Sequence, residues 1–291
     1  MSSILNFDFD SVRTPTLPKQ PETFILDVYR GFKVYVERYW IDDSFETIIL
    51  VNGALATTSS FNQTVKYLRP HFNIILYDLP YAGRSKGHSP NLAMLTKDDE
   101  VEILSSLIDR FKPEYLISMS WGGVAALLTL ARRPPSIKKA VIGSFSPVLN
   151  EAMQDYLDKA QLYLGSRDHG SAARLLNETV GQHLPRLLKI YNGRYLLSLS
   201  EHEAEQIAFH IQQIIALDSE NYVDRFSEID IEVLFVNGKL DEHTTPKDVE
   251  QLSRYIRKGR FVTVPSAGHF LELENKYARA EVRDAIFAFL L

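Results

Sequence analysis

The chain contains no cysteine among its 291 residues, which excludes a disulfide framework, a thiolate metal site and a cysteine nucleophile. Serine is the natural nucleophile that remains. A secretion signal is also lacking: residues 1–23 mix Asp8, Asp10 and several prolines without a basic start and a continuous apolar run,. No apolar run approaches the ~18 residues needed to cross a bilayer. The expectation is a cytoplasmic protein with no integral membrane segment. Nor is there an excess of basic side chains, since 32 Lys and Arg stand against 37 Asp and Glu. That balance argues against nucleic acid as a partner, which needs clustered cations.

What is present is an ordinary globular mixture, 45% hydrophobic and 24% charged, ample for a large core. After the leader, Phe24–Tyr29 and Lys33–Tyr39 are β-branched and aromatic runs separated by Arg30-Gly31-Phe32, which reads as a hairpin. Thr47–Val51, Ile74–Tyr77, Tyr115–Met119 and Ala140–Phe145 are nearly all apolar, as expected of parallel strands covered on both faces. Helices are expected at Ser60–Leu68, Lys97–Phe111 and Trp121–Arg132, the second introduced by Thr96 with Asp98, Asp99 and Glu100 in its first turn,. The alternation resumes with Ile231–Val236, a helix near Pro246–Arg257, Phe261–Val264 and a last helix from Leu271 to Leu290. This is an α/β pattern with a mostly parallel, doubly wound sheet.

From Ser146 to Glu228 no strand run occurs. Met153, Tyr156, Leu157, Ala160 and Leu164 share one helical face, as do Ile207, Ile211, Ile214 and Ile215,. The expected organisation is a leader over 1–23, a core over 24–145 and 229–291, and an inserted helical cap over 146–228. Twelve Asp and Glu and seven Lys and Arg fall in the cap, so it carries the chain's whole net charge of −5.

The strongest chemical signal is Tyr115-Leu116-Ile117-Ser118-Met119-Ser120-Trp121-Gly122-Gly123, a buried strand running into a helix through Ser-x-Ser-x-Gly. Such a tight turn exposes one strained side chain, so small residues must flank it two places on either side. Gly122 meets that demand, and Ser118 stands where glycine is usual. An isolated Ser-x-Ser-x-Gly would more often be a helix start than a nucleophile, but two further motifs change the weighing. Asp241 follows the late strand in Val236-Asn237-Gly238-Lys239-Leu240-Asp241, and His269 follows the next in Ser266-Ala267-Gly268-His269-Phe270. Ser, Asp, His is the chain order of the α/β-hydrolase fold, whose strand ends converge at one sheet edge.

In that arrangement His269 takes the serine proton as general base and returns it. Asp241 orients the imidazole and stabilises its cation. Glu242 is the reserve acid, and the other seven histidines are read as surface or core. The oxyanion donors are expected from the backbone N–H of Trp121 and of Ala54, the latter in Asn52-Gly53-Ala54 after the strand Thr47–Val51. The turn Asp78-Leu79-Pro80-Tyr81-Ala82-Gly83-Arg84-Ser85 is assigned a structural role.

Four segments carry a narrower resemblance: Val51-Asn52-Gly53-Ala54-Leu55-Ala56-Thr57-Thr58, Ser118-Met119-Ser120-Trp121-Gly122-Gly123, Leu176-Asn177-Glu178-Thr179-Val180-Gly181 and Gly268-His269-Phe270-Leu271. From about Leu26 to the C-terminus the chain resembles the acyltransferase family of rhamnolipid-precursor synthases and 3-hydroxyacyl carrier-protein:CoA transacylases. Leu79–Gly83 and Thr96–Leu104 are similar to the synthase branch, and Ser144–Pro147 and Asp155–Asp158 to the transacylase branch. The longer matches favour the synthase.

The resemblance implies that Ser120 takes a 3-hydroxyacyl group from a carrier-protein or CoA thioester. The 3-hydroxyl of a second such group then attacks, giving a 3-(3-hydroxyalkanoyloxy)alkanoic acid. It implies no cofactor and no metal, and an acyl carrier protein as a transient partner. Candidate docking cations are Arg186, Lys189 and Arg194 in the cap, or Arg132, Arg133, Lys138 and Lys139 on the core. Transacylase, thioesterase or esterase activity remains the alternative within the fold, and a non-catalytic binding protein the alternative outside enzyme chemistry.

Overall fold

A computed structural model describes residues 20–89, 93–217 and 219–291; residues 1–19 of the expected leader lie outside them. Strands β1 (Glu22–Asp27) and β2 (Lys33–Tyr39) form the expected antiparallel hairpin. Its turn uses left-handed backbone at Arg30 (φ 52°) and Gly31 (φ 78°), the two positive φ values that a twisted two-residue hairpin turn requires. The first strand begins at Glu22, so the end of the expected leader pairs within the sheet.

The remaining strands are β3 (Thr47–Val51), β4 (Asn73–Asp78), β5 (Tyr115–Met119), β6 (Lys139–Gly143), β7 (Glu232–Gly238) and β8 (Gly259–Val264). They lie in the order β1-β2-β4-β3-β5-β6-β7-β8. From β4 to β8 every pairing is parallel. All five residues of β3 and all six of β4 are buried, because both faces are covered. Ile49, Leu116 and Phe235 pack on one side with Leu104, Leu107 and Val124. Ile48, Leu50 and Ile117 pack on the other with Val65, Val282 and Ile286.

Helices α1 (Asn62–Leu68), α2 (Lys97–Phe111), α3 (Gly122–Leu130) and α10 (Lys276–Leu290) supply those layers. Thr96 starts α2 with a reciprocal capping box, its side chain accepting from Asp99 N–H while Asp99 accepts from Thr96 N–H,. In α10 the buried residues Ala278, Val282, Ile286 and Phe289 recur every three or four positions, one apolar stripe against the sheet. Burying Val282 and Ile286 contributes roughly 1.5–3 kcal/mol each, and Ile286→Asp would undo this contact.

Two helix limits differ from expectation. The segment expected as a helix over Pro246–Arg257 has one α-turn, α9 (Pro246–Val249), followed by 3-10 turns to Arg254. Buried Val249 and Leu252 are three apart, a spacing that three-residue turns also satisfy. The last helix starts at Lys276, not Leu271, because Asn275 caps it, accepting from Tyr277 and Ala278 N–H,.

Between β6 and β7 come α4 (Glu151–Gly165), α5 (His169–Glu178), α6 (Arg186–Leu197), α7 (Glu201–Ala216) and α8 (Ser219–Asp224), with no strand among the described residues. Met153, Leu157, Ala160 and Leu164 are the buried stripe of α4, and α4 packs on α5 and α7. Gln206, His210 and Gln213 form a polar stripe on α7 that bonds the start of α2. Gln206 and Gln213 accept from the N–H of Leu95 and Lys97.

Candidate active site

Three strand ends meet over the C-terminal edge of the sheet. Ser120, between β5 and α3, has φ of 53°, left-handed backbone that a non-glycine residue adopts under constraint. The turn is held by Ser120 N–H to the Gly143 carbonyl and Gly123 N–H to the Ser120 carbonyl, both 2.8 Å. A Cβ on Gly122 would lie 2.3 Å from the Asn52 carbonyl oxygen, so only glycine fits there. Ser118 fits in place of the usual glycine: it is fully buried, and the turn forms around its small side chain.

His269 follows β8 and Asp241 follows β7. The imidazole Nε2 lies 3.0 Å from Ser120 Oγ, and Nδ1 lies 2.9 Å from Asp241 Oδ2. Asp241 also accepts from the N–H groups of His243 at 2.9 Å and Thr244 at 3.1 Å, and from the Thr244 hydroxyl at 2.5 Å. Burial would raise its pKa, but His269 and these hydrogen bonds hold it well below the usual carboxylate range. An ionised carboxylate only accepts, so Nδ1 carries the proton and the Nε2 lone pair faces the serine hydroxyl. That tautomer is the one a base needs.

The histidine loop is fixed from below. Glu274 accepts from Gly268 N–H at 2.6 Å and Phe270 N–H at 3.0 Å, and the Ser144 hydroxyl donates to the His269 carbonyl at 2.5 Å. Neither the Ala54 nor the Trp121 N–H has a protein acceptor among the described residues. Both residues line the same cavity as Ser120 and His269, so two unspent donors stand beside the nucleophile. Glu242 is not brought in; it is exposed, and its backbone carbonyl accepts from Asn150. The Asp78 turn is structural, its carboxylate accepting from Thr58 and Arg84 N–H.

Sequence reasoning missed Thr244, whose spacing of three from Asp241 is a signal for local side-chain turns. It also missed a buried polar cluster behind Trp121. The His210 ring stacks on the Trp121 indole at 5.1 Å, and its Nδ1 lies 3.2 Å from Glu100 Oε1. Lys97 Nζ lies 3.0 Å from the other Glu100 oxygen. Burial alone would raise Glu100, yet the charges and hydrogen bonds of Lys97 and His210 hold its pKa at about 2. No group of three or more His, Asp or Glu is placed to hold a metal ion among the described residues.

Two apolar cavities open on Ser120. The first occupies about 1210 Å³ including its mouth and runs past Met153, Leu164, Leu176 and Val180. The second, about 490 Å³ again including its mouth, runs past Val124, Leu149, Ile214 and Leu217. Ser120, Trp121, Ser144 and Met153 are in the walls of both.

Residues 46–276 match the family model described as the alpha/beta hydrolase fold. The chain is 48% identical over 271 residues to an (R)-3-hydroxydecanoyl-ACP:CoA transacylase of Pseudomonas aeruginosa, covering 93% of this chain and 90% of the relative. A protein of the same description from Ectopseudomonas oleovorans is 45% identical, covering 93% and 92%. Among solved structures, the esterase EaEST of Exiguobacterium antarcticum superposes with a TM-score of 0.75 at 18% identity, covering 91% of this chain and 98% of its own. That likeness concerns the fold alone. The mostly parallel sheet, the family match and the two relatives converge: the chain belongs to the α/β-hydrolase-fold family, and within it to the acyltransferase family that joins rhamnolipid-precursor synthases and 3-hydroxyacyl-ACP:CoA transacylases.

Proposed function

We propose that this enzyme is a serine-dependent acyltransferase that moves 3-hydroxyacyl groups through an ester on Ser120. The observation that carries the reading is the relay Asp241, His269, Ser120, with contacts of 2.9 and 3.0 Å, opening into a cavity lined mostly by apolar side chains. Ser120 Oγ attacks the thioester carbonyl while His269 Nε2 takes its proton. The tetrahedral oxyanion is held by the N–H groups of Ala54 and Trp121. The thiol of the pantetheine arm leaves with the proton from His269, and the acyl chain lies in the first cavity.

A second 3-hydroxyacyl thioester then supplies its 3-hydroxyl to the acyl-serine, giving the 3-(3-hydroxyalkanoyloxy)acyl thioester and free Ser120; hydrolysis of that remaining thioester frees its thiol and the 3-(3-hydroxyalkanoyloxy)alkanoic acid. Water would compete at every turnover, so transfer depends on excluding it. We assign that task to the segment 146–228, acting as a cap whose α4 and α7 stripes roof the nucleophile. Carrier-bound acyl groups would approach along α6, which bears Arg186, Lys189 and Arg194 and no acidic residue.

A second reading is transfer to the thiol of CoA, favoured by the transacylase descriptions of the relatives at 45–48% identity. Incubation with 3-hydroxydecanoyl carrier protein, with and without CoA, followed by mass spectrometry of the lipids, separates these outcomes. A dimeric hydroxy-fatty acid supports ester formation, acyl-CoA supports transfer to the thiol, and free monomeric acid alone refutes both.

A further inference from the structure

Apart from the nucleophile's own, the side-chain hydroxyls of the second cavity are already hydrogen-bonded to the protein. Its hydroxyls are those of Ser120, Ser144, Ser146, Tyr222 and Thr244. Apart from the nucleophile, Ser144 donates to the His269 carbonyl, Ser146 to the Val148 carbonyl at 2.8 Å, and Thr244 to Asp241. The Tyr222 hydroxyl donates to the Pro147 carbonyl at 3.2 Å. What faces the space is therefore mostly hydrocarbon: Val124, Pro147, Leu149, Ile214 and Leu217. Such a wall selects an apolar chain over a nucleotide or pantetheine arm, whose amides would lose water without finding partners.

Position decides the chain's role. Because Trp121, Ser144 and Met153 stand in the walls of both cavities, a chain in each would bring two functional ends to Ser120 from different directions. We infer that the second cavity is the acceptor chamber, which holds the alkyl tail of the attacking 3-hydroxyacyl group while the first holds the chain esterified to Ser120. The acceptor's 3-hydroxyl oxygen forms a bond to the acyl carbon, its proton passing to His269 Nε2. The bond from that carbon to Ser120 Oγ then breaks, and His269 returns the proton to Ser120. One ester is made as another is broken, and no other reactant is consumed.

The occupied chamber also removes the space a hydrolytic water would use. This inference rests on the ester-forming reading of the site, and its test contains a measurement that does not.

The measurement is binding to enzyme whose Ser120 has been capped with a decyl phosphonate, which fills the first cavity. Calorimetric titration with 3-hydroxydecanoic acid should show one saturable site. Leu217→Phe should weaken it on the order of tenfold, the equivalent of about two methylenes squeezed out. In turnover with mixed 3-hydroxyoctanoyl and 3-hydroxydodecanoyl thioesters, the same variant should shorten the acceptor half of the ester and leave the donor half unchanged. A thermal melt near that of the wild type certifies that the variant is folded. Capped enzyme that binds no acid, unchanged binding in Leu217→Phe, or a shift in the donor half overturns the assignment. Variant-sensitive binding without any ester product upholds the chamber and overturns ester formation instead.

Discussion

Replacing Asp241 by Asn tests the relay at its buried end, where the consequences can be followed atom by atom. Asp241 Oδ1 accepts from two backbone N–H groups, and Oδ2 accepts from the Thr244 hydroxyl and His269 Nδ1. An asparagine of the same shape keeps its carbonyl oxygen on the two N–H groups. Its amide nitrogen then faces Thr244 and His269 as a donor. The threonine hydroxyl can rotate to accept, but the imidazole can accept at Nδ1 only by moving its proton to Nε2. That proton would point at Ser120 Oγ, 3.0 Å away, and the base would no longer be able to take one. The expected loss in kcat is on the order of 10⁴-fold, about 5 kcal/mol of transition-state stabilisation. Thiol release from 3-hydroxydecanoyl-CoA measures it, and a thermal melt near that of the wild type shows that the fold is retained. A loss under about tenfold would refute the reasoning, since no tautomer switch costs so little at this position. Greater damage from Glu242→Gln would assign the acid to the exposed neighbour.

The other expectations are shorter to state. Ser120→Ala removes one hydroxyl and no core volume; turnover and the acyl-enzyme peak in intact-protein mass spectrometry should both vanish, a loss of ~10⁴-fold or more, with unfolding by urea unchanged. Lys97→Met removes the cationic partner of the buried Glu100 and leaves it His210 alone, with both residues of the pair buried; it should cost about 3–5 kcal/mol in urea unfolding, and Lys97→Met/Glu100→Met should recover most of that. Because the Glu100 pKa falls from 4.5 unfolded to about 2 folded, its contribution is fully present above pH 4.5 and is lost as pH falls towards 2, which acid unfolding of wild type and double variant should separate. Arg186→Glu/Lys189→Glu should raise KM for carrier-protein thioesters and leave small activated esters unchanged, and salt should act the same way on the wild type as exposed charges are screened within ~10 Å at 0.1 M. Equal response of carrier and CoA thioesters would remove α6 as the docking surface.

Parts of this molecule were legible because their signals are local. The buried strands β3 and β5 coincide with their apolar runs, and α2 with the run bounded by Thr96, since continuous burial and a capping box each leave a mark within a few residues. The order of Ser120, Asp241 and His269 could be read because each stands just past an apolar strand, and a parallel sheet brings such positions to one edge. Asn275 was equally local but was overlooked as a cap. Asp241 ranks above Glu242 already in the sequence, because adjacent side chains point apart, and the structure agrees: Asp241 is buried against His269 and Glu242 is exposed.

The buried cluster behind Trp121 belongs to another category. Glu100 and His210 are 110 positions apart, and no periodicity announces that a glutamate in the first turn of α2 will meet a histidine inside α7. Read alone, Glu100 is a helix-start acid favoured by the macrodipole, and His210 is a core residue on an amphipathic face. Together with Gln206 and Gln213 they join the inserted helices to the core where Trp121 offers its backbone N–H to the nucleophile's cavity. The inserted segment is thus tied by buried polar groups at the site it covers, and elsewhere it packs through the apolar stripes of α4 and α7. Apolar stripes tolerate sliding, whereas a hydrogen-bonded charge pair has one good geometry. The polar tie therefore fixes where Ile207, Ile211 and Ile214 hang over Ser120, and with them the dimensions of the two chambers that meet there.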